Sequence, residues 1–348
     1  MTTVHQHTTG VTIVAELSAN HDGDLDRALD SVHAMHGAGA DMVKLQTYRP
    51  ESLTLDLHGP HFGPRDRGPW AGTRPWDLFS RGALPYEWHA EIFSLASSLG
   101  MTCFSTPFDE EGVQLLEQLG NPIYKVASLE IGHVPLLEAI AATGKPVILS
   151  TGAATLGDIE LALATLGYLR SDVTLLKCTT AYPTPYGEVN LRAMATLGKA
   201  FGTPVGLSDH TQGHTVAVAA VALGATLIEK HFTLDRAHGG IDAAFSMEPH
   251  EFRAMVAAIR DAEQALGANA YALSPSSASA RARGRSIFVA EPVSAGDQFT
   301  TKNLRIVRPG AGLHPRYWGA VLGQTARVDL EPGTPLAWLH VSGRVHAS

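Results

Sequence analysis

Two lysines, Lys44 and Lys125, stand inside otherwise apolar stretches of the chain, DMVKLQT and IYKVAS. Burying an ammonium group among apolar side chains is costly unless an anion neutralises it. Hydroxyl side chains occupy or follow similar stretches, namely Ser105, Thr106, Ser128, Ser150 and Ser208. Two cations among several hydroxyl donors predict a pocket for a small anion that carries phosphate and carboxylate groups.

Each lysine also has other possible roles. It can extend to solvent or pair with a structural carboxylate, and neither role needs a ligand. One lysine can instead form a Schiff base with a carbonyl substrate, provided that burial lowers its pKa. The number of lysines and hydroxyls together favours the anion pocket.

Two histidines, His210 and His231, end two apolar stretches that follow one another in the chain. Either histidine alone is more typical of a hydrogen-bonded core residue. On neighbouring strands, however, their imidazoles can share one divalent metal ion, with water or substrate in the remaining positions. The pair therefore predicts a metal site.

These side chains must be brought together by a regular fold. Eight short apolar stretches predict eight buried strands that can do so. They are residues 11–17, 41–47, 101–106, 123–128, 146–151, 173–179, 204–208 and 226–232. Segments between them, such as 24–38, 87–99, 134–143, 155–167 and 214–223, carry apolar residues at helical spacing. Glycines stand at the predicted helix ends, at Gly39, Gly100, Gly120, Gly144 and Gly224.

Eight strands that alternate with helices predict an α/β fold, a (β/α)8 TIM barrel, with its active site at the carboxyl ends of the strands. Polar residues end or follow every predicted strand, as Glu16, Gln46, Glu130, Tyr182 and Glu229 illustrate. A doubly wound open sheet is the alternative, but no glycine-rich dinucleotide loop follows the first strand.

The chain changes character outside the regular repeat. Residues 50–86 are irregular and rich in Gly, Pro, Trp and Arg, which predicts a functional loop at the barrel mouth. We predict a catalytic barrel over 1–268, a small, polar linker over 269–284 and a β-rich domain over 285–348. A domain of that size is only marginally stable alone, so we expect it to pack on something.

The composition excludes several classes of partner. The net charge is −8, no block of like charges is present, and no apolar stretch is long enough to cross a membrane. We expect small-molecule substrates, no nucleic acid, no membrane and a cytoplasmic location. Cys103 and Cys178 lie in apolar stretches, as buried reduced thiols do.

Several motifs, in order along almost the whole chain, resemble the sialic acid synthase family. They include AELSANHDGDLDRAL, GADMVKLQTY, YKVASLEI, LLKCTTAYPTP, VGLSDHT and IEKHFTLDRAHGGIDAAFS. The AELSANH, KLQTY and DAAFS pieces are most similar to the pseudaminic acid synthase branch. RSIFVA and RPGAG resemble the antifreeze-like (SAF) domain of the same family.

The resemblance implies roles for individual residues. The implied phosphoenolpyruvate site comprises Lys44, Thr106, Lys125, Ser128, Ser150 and Ser208. The implied sugar site comprises Glu16, Gln46, Tyr182, Asp242 and Arg308, with Arg308 supplied by the partner subunit of a domain-swapped homodimer. The implied metal ligands are His210 and His231, for Mn²⁺ or Mg²⁺. The implied catalytic residues are Glu16, Lys44, Lys125 and Glu130.

The implied reaction joins phosphoenolpyruvate to an acetamido-hexose aldehyde, giving a nonulosonic acid and inorganic phosphate, with the metal ion as a Lewis acid. Within the family, an N-acetylneuraminate or legionaminic acid synthase, or a synthase in secondary metabolism, is the alternative. A pyruvate aldolase and a non-catalytic sugar-binding protein are alternatives of other kinds. Ile241, Ala153 and the 50–86 loop depart from the family pattern near the expected sugar side.

Overall fold

The eight predicted strands form a closed parallel barrel in sequence order, with β1 paired to both β2 and β8. The computed structural model describes residues 10–167, 172–267 and 271–343. The strands are β1 Thr12–Glu16, β2 Met42–Thr47, β3 Thr102–Pro107, β4 Tyr124–Val126, β5 Val147–Ser150, β6 Val173–Cys178, β7 Val205–Asp209 and β8 Leu227–His231. Nearly every strand residue is buried, because helices cover the outer face, and this explains the continuous apolar stretches.

Helices connect the strands as predicted. In the barrel they are α1 Leu25–Gly37, α2 Pro50–Leu53, α3 Pro75–Gly82, α4 His89–Ser98, α5 Glu110–Gln118, α6 Val134–Thr143, α7 Leu156–Leu166, α8 Ala193–Phe201, α9 Thr215–Ala222 and α10 Pro249–Leu266. Side-chain caps start several of them; in α7, Thr155 and Asp158 form a reciprocal capping box. Gly144 ends α6 in the left-handed conformation, at φ 66°, which glycine adopts without steric cost.

The lower interior of the barrel is filled by apolar side chains. This cluster comprises Val14, Met42, Phe104, Ile123, Ile148, Leu176 and Leu227. On β7 the interior position is Gly206, where a Cβ would lie 2.4 Å from the Leu227 carbonyl oxygen. Because strand side chains alternate between faces, the inward residues two positions further on stand above this apolar cluster.

The segment 50–86, predicted to be irregular, contains the two short helices α2 and α3. Each begins with a proline at its first turn, a position that needs no backbone donor. Arg74 also binds Asp77 within the first turn of α3. Proline and a local ion pair therefore start helices where the composition alone indicates a loop.

A second compact unit follows Gly267. It contains α11 Pro275–Arg281, β9 Ser286–Val289, β10 Leu304–Val307, α12 Trp318–Val321, β11 Thr325–Ala326 and β12 Val341–Ser342. The helix α11, capped by Ser274, lies inside the segment predicted as a linker. The unit also has a hydrophobic core of its own, built around Ile287, Phe299 and Leu336, which the expectation of a marginal domain did not foresee.

None of the helices described is both long enough and apolar enough to cross a membrane. Cys103 and Cys178 are buried and free, as predicted.

Candidate active site

The site begins one side-chain layer above the apolar cluster of the barrel interior. Lys44, Lys125 and Ser150 each follow a residue of that cluster by two positions along their strands. They therefore point inward at the carboxyl end of the barrel, where TIM-barrel enzymes bind their substrates. The two-residue period explains how polar groups collect in a barrel whose strands are otherwise apolar.

Lys44 is held between two carboxylates. Its Nζ lies 2.5 Å from Oε2 of Glu16 and 3.0 Å from Oε1 of Glu229, and all three side chains are buried. Burial lowers the pKa of Lys44 to about 8, although Glu229 opposes this shift. Burial raises the pKa of Glu229, but Lys44 and Lys125 outweigh it and hold that pKa low. Both groups are therefore charged at neutral pH, and Lys44 forms buried ion pairs that do not depend on a ligand.

Lys125 has a different environment. Its Nζ donates to Ser150 Oγ at 2.7 Å and to the carbonyl of Val126 at 2.9 Å, and the side chain is 2% exposed. No carboxylate lies within ion-pair distance of it in the described ranges. Ser128, beside it on the same loop, accepts from the backbone N–H of Gly152 at 3.0 Å. Lys125 is thus a buried lysine whose direct partners are neutral, while Glu229 and Glu130 interact with it at longer range.

His210 and His231 face each other at the ends of β7 and β8. Their ring centroids are 5.2 Å apart, and both residues are buried. Tyr182 packs 4.4 Å from His210, while Phe245 packs 5.1 Å from His231, with both distances between centroids. Aromatic side chains therefore enclose the pair and restrict the access of water.

The two imidazoles differ in the direction of their pKa shifts. Burial, together with repulsion from His210 and the lysines, lowers the pKa of His231. Burial by itself would lower the pKa of His210. The hydrogen bonds to Cys178 and to the Thr179 carbonyl, and the charge of Cys178, outweigh burial, so the pKa is raised. Nδ1 of His210 lies 3.1 Å from the Thr179 oxygen. As a donor there, Nδ1 leaves Nε2 free to bind a ligand.

The histidine pair fits a metal ion in part. Nδ1 of His231 is buried and has no hydrogen-bond partner, as expected of a group that awaits a ligand. Across the residues that the structure describes, no three His, Cys, Asp or Glu side chains converge as a complete metal site. The protein would supply two nitrogen ligands, and water or substrate would supply the others.

Lys230 anchors the loop that carries His210. Its fully buried Nζ donates to Asp209 Oδ2 at 2.7 Å and to the carbonyls of Thr211 and Gly213 at 2.5 and 2.8 Å. These three acceptors lie on either side of His210 in the chain. Lys230 therefore fixes the backbone from which the imidazole projects.

A hydrogen-bonded chain lines the opposite side of the cavity. Gln46 Nε2 donates to Ser18 Oγ at 3.2 Å, and Ser18 in turn donates to the Asp242 carboxyl. Burial raises the pKa of Asp242, although the bond from Ser18 opposes the shift. Glu130 also lines the cavity, and its pKa is raised by burial against the attraction of Lys125. A carboxyl with a raised pKa is suited to proton transfer.

One cavity of about 240 Å³ joins most of the predicted site residues. Its walls include Lys44, Gln46, Lys125, Ser128, Glu130, Ser150, Tyr182, Ser208, His210, His231 and Asp242. Two predicted residues of the barrel do not line it. Glu16 pairs with Lys44, and Thr106 is buried near the end of β3 with an unpartnered hydroxyl. Arg308 is exposed in the second unit, so its contact with a sugar stays a prediction.

Several cavity residues were not predicted as site residues. Glu229, Cys178, Arg65 and Trp70 all contribute to the walls. Glu229 had a signal in the sequence, because it shares the inward face of β8 with His231, two positions later. The positions of Arg65 and Trp70 depend on the fold of a long loop and had no comparable signal.

Comparison with known proteins agrees with this architecture. The NeuB family matches residues 31–271, and the SAF domain matches residues 284–342. The chain is 42% identical to the pseudaminic acid synthase of Helicobacter pylori, covering 93% of this chain and 96% of that protein. It is 38% identical to the N,N'-diacetyllegionaminic acid synthase of Legionella pneumophila, covering 94% of each.

A solved structure supports the same assignment. The N-acetylneuraminic acid synthetase of Leptospira borgpetersenii superimposes with a TM-score of 0.69 at 32% identity, covering 78% of this chain and 90% of that one. The family match spans most of the barrel, and the SAF domain follows it in the expected order. The chain therefore belongs to the NeuB family.

Proposed function

We propose that this chain condenses phosphoenolpyruvate with an acetamido-hexose aldehyde and releases a nonulosonic acid and inorganic phosphate, as a pseudaminic acid synthase does. The 42% identity to a pseudaminic acid synthase over nearly the whole chain supports the branch. The residues at the carboxyl end of the barrel support the chemistry.

The observation that carries the proposal is the buried Lys125, which has no carboxylate partner among the described residues. A buried ammonium without a direct ion-pair partner is unfavourable in the free protein, so it favours binding of an anion. Ser150 and Ser128 line the same cavity; their hydroxyl oxygens accept from Lys125 and from the Gly152 N–H, and a hydroxyl that accepts can also donate to an anion. We assign the phosphate and carboxylate of phosphoenolpyruvate to this group and to Lys44.

We propose that His210 and His231 hold a divalent metal ion, manganese or magnesium. When bound, the ion supplies Lewis-acid polarisation of the sugar's aldehyde oxygen. The unpartnered Nδ1 of His231 and the free Nε2 of His210 support this role. Tyr182 packs against His210, and Phe245 packs against His231, so the aromatic rings hold the two imidazoles in place.

The reaction balances with groups that the cavity holds. The enol carbon of phosphoenolpyruvate attacks the aldehyde carbon, a carbon–carbon bond forms, and the aldehyde oxygen takes a proton from Glu130, whose raised pKa favours the protonated carboxyl. The carbon that bears the phosphate is now an oxocarbenium carbon; water adds to it, and the ionised Glu130 takes up the proton that the water loses. Cleavage of the carbon–oxygen bond then releases phosphate, which carries away the proton of the added hydroxyl, and leaves the keto group. Lys44 and Lys125 stabilise the anionic groups throughout.

The experiment is an assay of the purified chain with phosphoenolpyruvate, Mn²⁺ and a panel of acetamido-hexoses. We expect phosphate release together with a product that has three more carbons than the sugar. Product formed from pyruvate, together with a pyruvate adduct that borohydride traps on a lysine, would instead identify a Schiff-base aldolase. Binding of a sugar without turnover would identify a sugar-binding protein.

We also propose that the chain acts as a homodimer in which Arg308 of one subunit reaches the sugar in the other. The exposure of Arg308 is compatible with a contact outside its own unit. An arginine offers several N–H donors to an acyl oxygen, which suits recognition of an acetamido group.

A further inference from the structure

The mouth of the active-site cavity contains an arginine, Arg65, that forms no ion pair with any residue the structure describes. Arg65 is half-buried and lies against two aromatic rings, with Cζ 5.3 Å from the centroid of Trp70 and 5.9 Å from that of Phe79. In the described part of the chain, no carboxylate lies within ion-pair distance of its guanidinium. The nearby acidic residues Asp56 and Asp77 pair with Arg74 instead.

The loop holds Arg65 in place through its backbone. The Arg65 N–H donates to the Thr73 carbonyl at 3.1 Å, and the Arg65 carbonyl accepts from the Gly72 N–H at 2.8 Å. The two bonds close the 65–73 segment, while the rings of Trp70 and Phe79 support the side chain. The guanidinium is therefore positioned before any ligand binds, which reduces the entropic cost of using it.

Trp70 connects this loop to the sugar side of the site. Its Nε1 donates to the carbonyl of Ile241 at 2.9 Å, next to Asp242 in the chain. Its ring centroid lies 5.6 Å from that of Tyr182, which lies 4.4 Å from that of His210. A continuous wall of aromatic rings thus leads from the histidine pair to Arg65. The loop and Ile241, which both depart from the family pattern, are joined by this one hydrogen bond.

We infer that Arg65 is a specificity-determining residue that donates to an acylamino carbonyl of the sugar at the end remote from the aldehyde. This inference rests on the proposed function, in which the anion lies at Lys125 and the aldehyde at the histidine pair. The remainder of the sugar then extends along the aromatic wall toward the mouth. An amide carbonyl is the strongest acceptor on a neutral amino sugar, and the rings of Trp70 and Phe79 offer an apolar surface to the acyl methyl.

The test compares Arg65→Met with Arg67→Met, a matched control from the same loop whose side chain is exposed. Michaelis constants are measured for phosphoenolpyruvate, for the best acetamido sugar and for the same sugar with a hydroxyl in place of the remote acetamido group. Arg65→Met should raise the constant for the acetamido sugar by about 10- to 100-fold, as expected for losing a charge-assisted hydrogen bond. The constants for phosphoenolpyruvate and for the hydroxyl sugar should change by less than about twofold.

Arg65→Lys keeps the charge without the planar fork, so it should restore only part of the discrimination. Thermal unfolding of each variant shows whether the barrel remains folded. The inference is overturned if Arg65→Met weakens both sugars equally, weakens phosphoenolpyruvate as much as sugar, or behaves like Arg67→Met. If the unaltered protein releases no phosphate with any sugar, the proposed function itself is wrong, and this inference fails with it.

Discussion

Lys44 and Glu229 form a buried ion pair, with 3.0 Å between Nζ and Oε1, across two strands that are not neighbours in the barrel. The lysine reaches over β1, where Glu16 provides a second carboxylate at 2.5 Å. Lys125, on β4, donates hydrogen bonds only to neutral groups. Two lysines in similar sequence contexts therefore have different environments: Lys44 pairs with two carboxylates, and Lys125 has no ion-pair partner among the described residues.

This difference predicts opposite effects on stability for two equivalent substitutions. Lys44→Met leaves two buried carboxylates without a cation and should lower the free energy of unfolding of the barrel by about 3–5 kcal/mol. Lys125→Met removes an uncompensated charge and should leave stability equal or higher. Both variants should lose about 2–3 kcal/mol of phosphoenolpyruvate binding, measured through its Michaelis constant. Equal stability of the two variants in urea unfolding contradicts the assignment.

The lowered pKa of Lys44 predicts a pH dependence. The ammonium form binds the anion, and the group loses its proton as the pH rises through about 8. We expect kcat/KM for phosphoenolpyruvate to fall above that pH, while kcat holds to higher pH because the bound anion raises the pKa. A profile measured with Mg²⁺ that stays flat to pH 9.5 argues against Lys44 as an anion ligand.

The histidine pair predicts a metal requirement. His210→Ala and His231→Ala should each abolish binding of Mn²⁺ in isothermal titration and metal-dependent turnover, while the protein stays folded. Because the pKa of His210 is raised, protons compete with the metal ion for its imidazole. The affinity of the protein for Mn²⁺ should therefore fall as the pH is lowered. His250→Ala, at an exposed histidine, is the control. Unchanged affinity in both site variants excludes the pair as ligands.

The proposed dimer predicts complementation between inactive subunits. Arg308→Ala should weaken sugar use without affecting phosphoenolpyruvate, since a guanidinium aimed at an acyl oxygen touches one substrate. Mixing Arg308→Ala with Lys125→Met subunits should restore part of the activity, because one site of the heterodimer holds both native residues. If mass spectrometry shows subunit exchange and the mixture stays inactive, Arg308 does not act across subunits.

Local patterns predicted most of the barrel because its strands and helices are regular. Apolar stretches located all eight strands, and helical spacing located helices such as Val134–Thr143 and Thr215–Ala222. The polar residues at the strand ends predicted the site, since closure of the barrel brings the inward positions of all strands to one rim. Both predictions depend on local sequence patterns and not on contacts between distant residues.

The sequence could not show which charges pair across the barrel. The contact between Lys44 and Glu229 depends on the tilt and register of β8, β1 and β2, which no local pattern encodes. The place of Arg65 depends on a long loop whose conformation is set by tertiary contacts such as the Trp70–Ile241 hydrogen bond. Both features are therefore visible only in the folded chain.

The most direct test of the central claim follows the oxygen that bridges carbon and phosphorus in phosphoenolpyruvate. That oxygen is labelled with ¹⁸O, and the substrate is turned over with Mn²⁺ and the preferred acetamido sugar. Cleavage of the carbon–oxygen bond predicts that all of the label leaves in the inorganic phosphate, with one phosphate released per sugar converted. Label retained in the keto group of the product, or product formed from pyruvate without phosphate release, would contradict the proposed reaction.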